Sequence, residues 1–433
     1  MSEVLRLGLL GLGTVGQGVV RVLERNAQEI ERRAGRPVRV VHASARDLGK
    51  ARDCNLEGIR LSADAADVVS DPQVDVVVEL IGGTSLARSL VEQAIAAGKP
   101  VVTANKALIA ECGNELFDRA RPQSTVIAYE AAVAGGIPII KAVREGLAGN
   151  RVQELAGIIN GTCNYILTQM RAHGVAFDAV LSEAQQLGYA EADPSFDVDG
   201  VDAAHKLTIL ASIAFGMPLA FDRVMVEGIR QVTPQDIKLA GEFGYNIKHL
   251  GIAKRVEQGV ELRVHPTLVP EEHLLAKVDG VLNTVVVQGD AVGRTGYYGA
   301  GAGAEATASA VLADVIDVAR SGPQSLVPPL AFQPEAIAEL AVLPREDIES
   351  AYYLRLTVAD EPGVLKAITS ILAERDISIE AILQKEPRHG ADATVALLTS
   401  VTREAHFDAA VADMQALPFV RQAPARLRVE HFE

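Results

Sequence analysis

Between Gly188 and Lys206 five carboxylates, Glu191, Asp193, Asp197, Asp199 and Asp202, precede a single lysine. That lysine lies in a very apolar run, Val201 to Phe215, which reads VDAAHKLTILASIAF. At helical spacing Lys206 shares a face with Ile209, Leu210 and Ile213, so the face should be buried. A buried ammonium is costly unless paired, and Asp202, four residues back, is the available partner. A desolvated lysine beside a carboxylate can move protons. The alternative is a structural ion pair within a helix. The neighbouring His205 points to another helix face and reads as structural.

A second motif bears on the choice. Val4 to Leu10 is an apolar run fit for a buried parallel strand, and it leads into Gly11-Leu12-Gly13-Thr14-Val15-Gly16. A helix with Val15, Val19, Val22 and Leu23 on one side follows. Strand, glycine turn and helix together are the context a dinucleotide pyrophosphate requires. Gly11 serves the tight turn, Gly13 the approach of the pyrophosphate, and Gly16 the packing of helix on strand. The next strand, Val38 to Ala45, ends in Arg46-Asp47. An arginine there suits the 2′-phosphate of NADP, and an aspartate suits the ribose of NAD; Arg46 coming first favours NADP.

The elements that must position these groups alternate through the first 150 residues. Strands are expected at 74–80, 100–104 and 125–129, with helices at 85–97 and 106–119. This order implies an α/β fold with a doubly wound, parallel, Rossmann-type sheet, whose ligands bind at the carboxyl ends of the strands. Residues 151–304 read as an α/β substrate and dimerisation domain, with strands at 154–159, 250–253, 260–264 and 284–288. A glycine-rich loop, 293–303, closes it. The helix 305–320 is expected to return to the first domain, 1–150. Residues 321–350 hold Pro323, Pro328, Pro329, Pro334 and Pro344 and read as a linker. Residues 351–433 have the order βαββαβ, a small ferredoxin-like unit on its own.

Composition narrows the function classes. The 433 residues are 48% hydrophobic and 22% charged, as in an ordinary multidomain globular protein. The formal net charge of −15, without a dense basic stripe, argues against nucleic acid as a partner. No run is long and apolar enough for a membrane span and no signal peptide is visible, so no membrane partner is expected. Cys54, Cys112 and Cys163 lack metal-like spacing and point to a reducing, cytoplasmic setting.

Ala184 to Lys206 resembles the signature of homoserine dehydrogenases, through Gly188, Asp193-Pro194, Asp197, Gly200, Asp202 and Lys206. Further blocks occur in the family's order: GLGTVG (Gly11 to Gly16), ELIGG (Glu79 to Gly83), TANK (Thr103 to Lys106), EAAVAGGIP (Glu130 to Pro138), NGT (Asn160 to Thr162) and GAGAEATASAVLAD (Gly301 to Asp314). The tail, with DEPGVL from Asp360, resembles an ACT regulatory domain. One departure is Phe196, where family members often carry an acid. No aspartokinase-like segment precedes the glycine turn, so a monofunctional enzyme is expected.

The resemblance implies interconversion of L-homoserine and L-aspartate 4-semialdehyde with NAD(P)(H), in threonine and methionine biosynthesis. It implies Lys206 as proton carrier on the substrate C4 oxygen, Asp202 as its orienter, and Lys106 as a rival carrier touching substrate or cofactor. Substrate would meet Glu191 (its ammonium), Asp197, Asn160, Gly161 and Thr162. Cofactor would meet Gly11, Leu12, Gly13, Thr14, Val15, Gly16, Arg46, Gly82, Thr84, Thr103, Lys106, Gly303 and Glu305. A monovalent cation, Na+ or K+, would sit mostly on backbone carbonyls of Glu130, Val133, Gly135 and Ile137; Glu130 could instead cap a strand end. An amino-acid effector, threonine by expectation, would bind at Asp360, Gly363 and Val364. A homodimer or homotetramer is implied. Two other readings stay open: a dehydrogenase of another small amino-acid aldehyde, and a catalytically silent amino-acid sensor.

Overall fold

The computed structural model describes residues 3–321, 327–385 and 392–432. Its first sheet has six strands, all parallel, in the spatial order Arg60–Ser62, Val38–Ser44, Leu5–Leu10, Val76–Glu79, Val101–Thr103, Ile127–Ala128. Strand alternation divides the core between two faces. Leu5, Leu7, Leu9, Val76 and Val78 join Val19 and Leu23 of the first helix, Thr14–Arg25. Leu10 and Val77 join Leu90 and Leu108 on the other side. The helix Ala304–Ser321 packs on the first face through Ala308, Val311 and Val315, so it does return to this domain. Gly18 makes that contact close: a Cβ there would lie 2.4 Å from Ala304 O. Strand order reverses between Leu5–Leu10 and Val76–Glu79, which opens a crevice at their carboxyl ends.

The second sheet departs from the sequence expectation in three ways. The runs at 250–253 and 260–264 are the middles of two long antiparallel strands, Tyr245–Val256 and Gly259–Pro270. Most of the expected glycine-rich loop is a strand, Gly293–Ala300, paired antiparallel to Leu282–Gly289 at the end of the sheet. Thr295, Tyr297 and Tyr298 favour strand, and an edge position tolerates the glycines between them. Lastly, the C-terminal unit does not stand alone. Its four strands continue the substrate-domain sheet, with Thr267 and Leu268 paired in parallel to Arg428 and Val429 of the strand Ala425–Val429.

Both faces of the C-terminal strand Glu349–Val358 are therefore used. Tyr352, Leu354 and Leu356 pack on their own helices through Ile368, Leu372 and Phe407. Ala351 and Tyr353 pack against Ile237 and Ala240 of the substrate domain. Arg355 and Tyr353 both donate to Asp236 there, at 2.6 and 3.1 Å. The βαββαβ order and the antiparallel sheet identify this unit as ferredoxin-like. The proline-rich segment is pinned rather than free: Tyr129 donates to Pro329 O at 2.6 Å, and Val260 N donates to Ala341 O at 2.8 Å. Pro323 lies outside the described residues. Among the described residues no helix is long and apolar enough to cross a membrane.

Candidate active site

The helix Val201–Phe215 is buried on every side, not on one face alone; within it Lys206 keeps partial exposure. It starts at Gly200, whose φ of 92° is left-handed and which lies against Val226, Val264 and His249. Lys206 Nζ donates to Asp202 Oδ2 at 2.7 Å and to Ile159 O at 2.8 Å. Ile159 follows the strand Val152–Ile158, and Asn160 caps the next helix by accepting from Cys163 N at 2.8 Å. The Asn160 amide donates to Asp202 Oδ2 at 2.8 Å and to Asp197 Oδ1 at 2.7 Å. From the first domain, Lys106 Nζ reaches Asp202 Oδ1 at 3.0 Å. Three cationic or amide donors thus converge on one carboxylate.

Electrostatics follow from this arrangement. Burial alone would raise the Asp202 pKa, but the Lys206 and Lys106 ammoniums overcome it and hold the carboxyl well below the usual range. Asp197 moves the other way, pushed up by burial and by the Asp202 charge. Lys106 opens the helix Lys106–Ala120, the end where the dipole disfavours a cation. Its tie to Asp202 in the other domain, with the Phe196 ring 5.4 Å from Nζ, accounts for its presence. His205 leaves the cluster and lies 3.0 Å from Glu111, with its ring against Phe221.

Lys106 and Lys206 face a cleft of about 230 Å³ between the two domains, lined also by Val15, Gly82, Asn105, Gly135 and Gly301. A larger cavity, about 570 Å³, lies by Thr125 to Ala128 and the proline-rich segment. Neither lysine lines it, so the smaller cleft is the candidate site. Sequence reasoning missed the lock that shapes this cleft. Glu79 is buried, accepting from Ile81 N at 2.9 Å, Gly82 N at 3.1 Å and Thr103 Oγ1 at 2.6 Å. Asn105 donates to Gly83 O at 2.7 Å and caps the Lys106 helix through Leu108 N at 3.1 Å. An acid ending an otherwise apolar strand was the available signal.

The glycine turn fits a dinucleotide. Gly11 has φ 104°, and a Cβ on Gly16 would lie 2.3 Å from Gly11 O. Around Gly13, at the helix N-terminus, a Cβ would meet nothing within 4 Å, which leaves room for a pyrophosphate. The two glycines should separate experimentally. Gly16→Ala is expected to lower the melting temperature, whereas Gly13→Ala should leave it unchanged and weaken dinucleotide binding roughly tenfold, about 1.4 kcal/mol. Thermal melts and fluorescence titration check both; equal melts would remove the distinction.

Other expected positions fall as follows. Thr162 Oγ1 donates to Tyr189 O at 2.7 Å, and Glu191 is exposed on the loop that Gln185 holds at 3.0 Å through Glu191 O. Arg46 is exposed, while Asp47 Oδ1 accepts from Gly49 N at 2.9 Å within its own loop. Glu305 is taken up by Arg25 at 2.7 Å and Arg21 at 3.5 Å, tying the two helices of one face. The Glu130 carboxylate accepts from Ile140 N at 3.0 Å and Lys141 N at 2.8 Å, so it acts as a cap. Among the described residues no three His, Cys, Asp or Glu side chains cluster to hold a metal ion. Asp360 and Gly363 are exposed and Val364 buried, at the start of the C-terminal helix Val364–Ala373.

Comparison with known proteins bears on the family and the fold. Residues 138–316 match the homoserine dehydrogenase family model, residues 11–130 its NAD-binding domain and residues 352–419 the ACT domain. The homoserine dehydrogenase of Pseudomonas aeruginosa is 56% identical over 430 residues, 98% of each chain. A crystal structure of a homoserine dehydrogenase from Thiobacillus denitrificans is also 56% identical, covering 100% of this chain and 99% of that one with a TM-score of 0.94. A hyperthermophilic archaeal homoserine dehydrogenase in complex with NADPH is 25% identical, covering 74% of this chain and 99% of its own, with a TM-score of 0.61. The chain, with its nicotinamide-binding domain, its paired lysines and its ACT domain, belongs to the homoserine dehydrogenase family.

Proposed function

We propose that this chain interconverts L-homoserine and L-aspartate 4-semialdehyde with NADP(H), and that Lys206 carries the proton on the C4 oxygen. The observation that carries this reading is the Lys206–Asp202–Lys106 cluster at the interdomain cleft. When bound, the nicotinamide supplies hydride exchange at C4. The protein holds and moves the proton. Lys206 spends two of its three donors on Asp202 and Ile159 O, which leaves the third for the substrate oxygen. Asp202 fixes the direction of that donor. Asp197 and Glu191 serve the substrate ammonium, and Asn160 to Thr162 border the substrate.

NADP is favoured over NAD because Arg46 is free at the strand end while the Asp47 carboxylate is engaged by Gly49 N. The archaeal relative, too, was solved with NADPH. A monovalent cation, Na+ or K+, would take the backbone carbonyls of Glu130, Val133, Gly135 and Ile137, which are hard oxygen donors. The test is oxidation of NADPH, and separately NADH, with L-aspartate 4-semialdehyde, in Na+, K+ or choline alone. Turnover favouring NADPH and requiring Na+ or K+ is expected; no turnover with either cofactor would leave the sensor reading.

Threonine as inhibitor belongs to the same reading, bound at the Asp360 to Val364 turn, whose backbone donors at a helix start suit a carboxylate. Truncation near Pro344 is a poor test, because it would strip four strands from the sheet shared with the substrate domain. Asp360→Ala is the better variant. It is expected to raise the threonine concentration for half inhibition about tenfold, the equivalent of about 1.4 kcal/mol, without changing kcat. An unchanged inhibition curve would remove the effector from this turn.

A further inference from the structure

A line of contacts runs from the last strand of the ACT domain to the segment 195–199, whose helical turn, Ser195–Val198, carries Asp197. Arg428, buried on Ala425–Val429, donates to Glu227 Oε2 at 2.8 Å and Oε1 at 3.1 Å, and to Glu404 Oε2 at 2.9 Å. Glu227 N donates to Val264 O at 2.7 Å, which keeps the residue on the substrate-domain sheet. Gly228 then passes so close to this segment that a Cβ would lie 2.4 Å from Val198 O and 2.7 Å from Asp199 Cα. Ile229 N donates to Val198 O at 2.9 Å. Arg230 closes on this segment, donating from Nε to Asp199 Oδ1 at 2.5 Å and from Nη2 to Asp199 Oδ2 and Ser195 Oγ, both at 3.2 Å. Ser195 and Asp199 flank Asp197, which shares the Asn160 amide with Asp202.

We propose that Glu227 to Arg230 form a positioning strut, gripped by Arg428 at one end and clamping the 195–199 segment at the other, through which the ACT domain sets the placement of that segment. The inference rests on the assignment of that segment to the substrate. Stability is not the main use of the Arg230 joint. Both of its partners are more than two-fifths exposed, and such pairs add little to folding. Its fork geometry on Asp199, with a further bond to Ser195, fixes orientation instead. The Arg428 joint is buried and keeps Glu404 if Glu227 is lost, so removing Glu227 does not strand the guanidinium.

The test is a double-mutant cycle in the full chain with Glu227→Ala, Arg230→Gln and the pair, reading substrate KM, kcat, cofactor KM and melting temperature. Joints in series predict that each single change raises substrate KM about fivefold, and that the double change does no more than either single. Cofactor KM and kcat should stay near wild type, and Arg230→Lys should recover part of the loss. A double variant with about a 25-fold effect, the product of independent sites, would overturn the strut, as would singles that leave substrate KM untouched. Asp197→Asn separates the underlying assignment. If it leaves substrate KM unchanged, the segment does not hold substrate and the strut falls with it. If it raises KM while the strut variants multiply, only the strut is lost.

Discussion

Replacing Lys206 by alanine is expected to lower kcat by about 10²–10⁴-fold, the usual worth of a positioned acid or base, with nicotinamide-cofactor affinity unchanged. Lys206 is only 12% exposed and two of its hydrogens are already engaged, so its remaining donor has one direction, into the cleft. Lys106 also lines the cleft but is 32% exposed and sits at a helix N-terminus, where it is held by Asp202 from across the domain boundary. On the proposed assignment Lys106 serves binding and Lys206 the directed proton transfer. Lys106→Met should therefore raise substrate KM more than it lowers kcat. Lys206→Arg should not rescue, because a guanidinium does not give up its proton in a protein. Stopped-flow hydride transfer with each variant decides the matter. Little loss in Lys206→Ala, with a large loss in Lys106→Met, would exchange the two roles.

What could be read from the sequence was local. The glycine turn, the parallel alternation and the Asp202–Lys206 pair each lie within a few residues, where spacing fixes geometry. The family blocks extended that reading along the chain. What stayed hidden depends on partners far apart in sequence. The bond between Glu79 and Thr103 joins neighbouring parallel strands 24 residues apart. Nothing in Glu130 alone shows that its carboxylate turns inward to Ile140 and Lys141. The strand at 293–300 was masked by its glycines, since local propensity cannot announce a partner strand. Joining of the C-terminal strands to the substrate-domain sheet rests on two strand-paired residues a side, Thr267 with Arg428 and Leu268 with Val429. A pairing of that kind leaves no mark in composition.

Asp202→Asn carries the second large effect, and it reports on folding as well as turnover. Asp202 is 5% exposed and is the common acceptor for Lys206, Lys106 and Asn160. Removing its charge leaves the Lys206 ammonium nearly buried and unpaired, for which a cost of about 3–5 kcal/mol is usual. The lower end is expected, since the amide oxygen still accepts a hydrogen bond and Lys106 is a third exposed and can turn to water. The pH dependence has a definite sign. The folded pKa of Asp202 is depressed, so its contribution is complete above the unfolded aspartate value, about 3.9, and fades as pH falls from there toward the folded value. Wild type should lose stability on that acid limb, and Asp202→Asn should start lower at neutral pH and lose less of it. In turnover the variant should lose about 10²-fold in kcat, the lower bound for a proton carrier without its orienting partner. Melting curves from pH 3 to 8 beside kcat at pH 7 separate the two duties. A variant that melts like wild type yet turns over slowly would make Asp202 an orienter of Lys206 and nothing more. One that melts early and turns over normally would make the pair structural, and the proton would have to travel by another group.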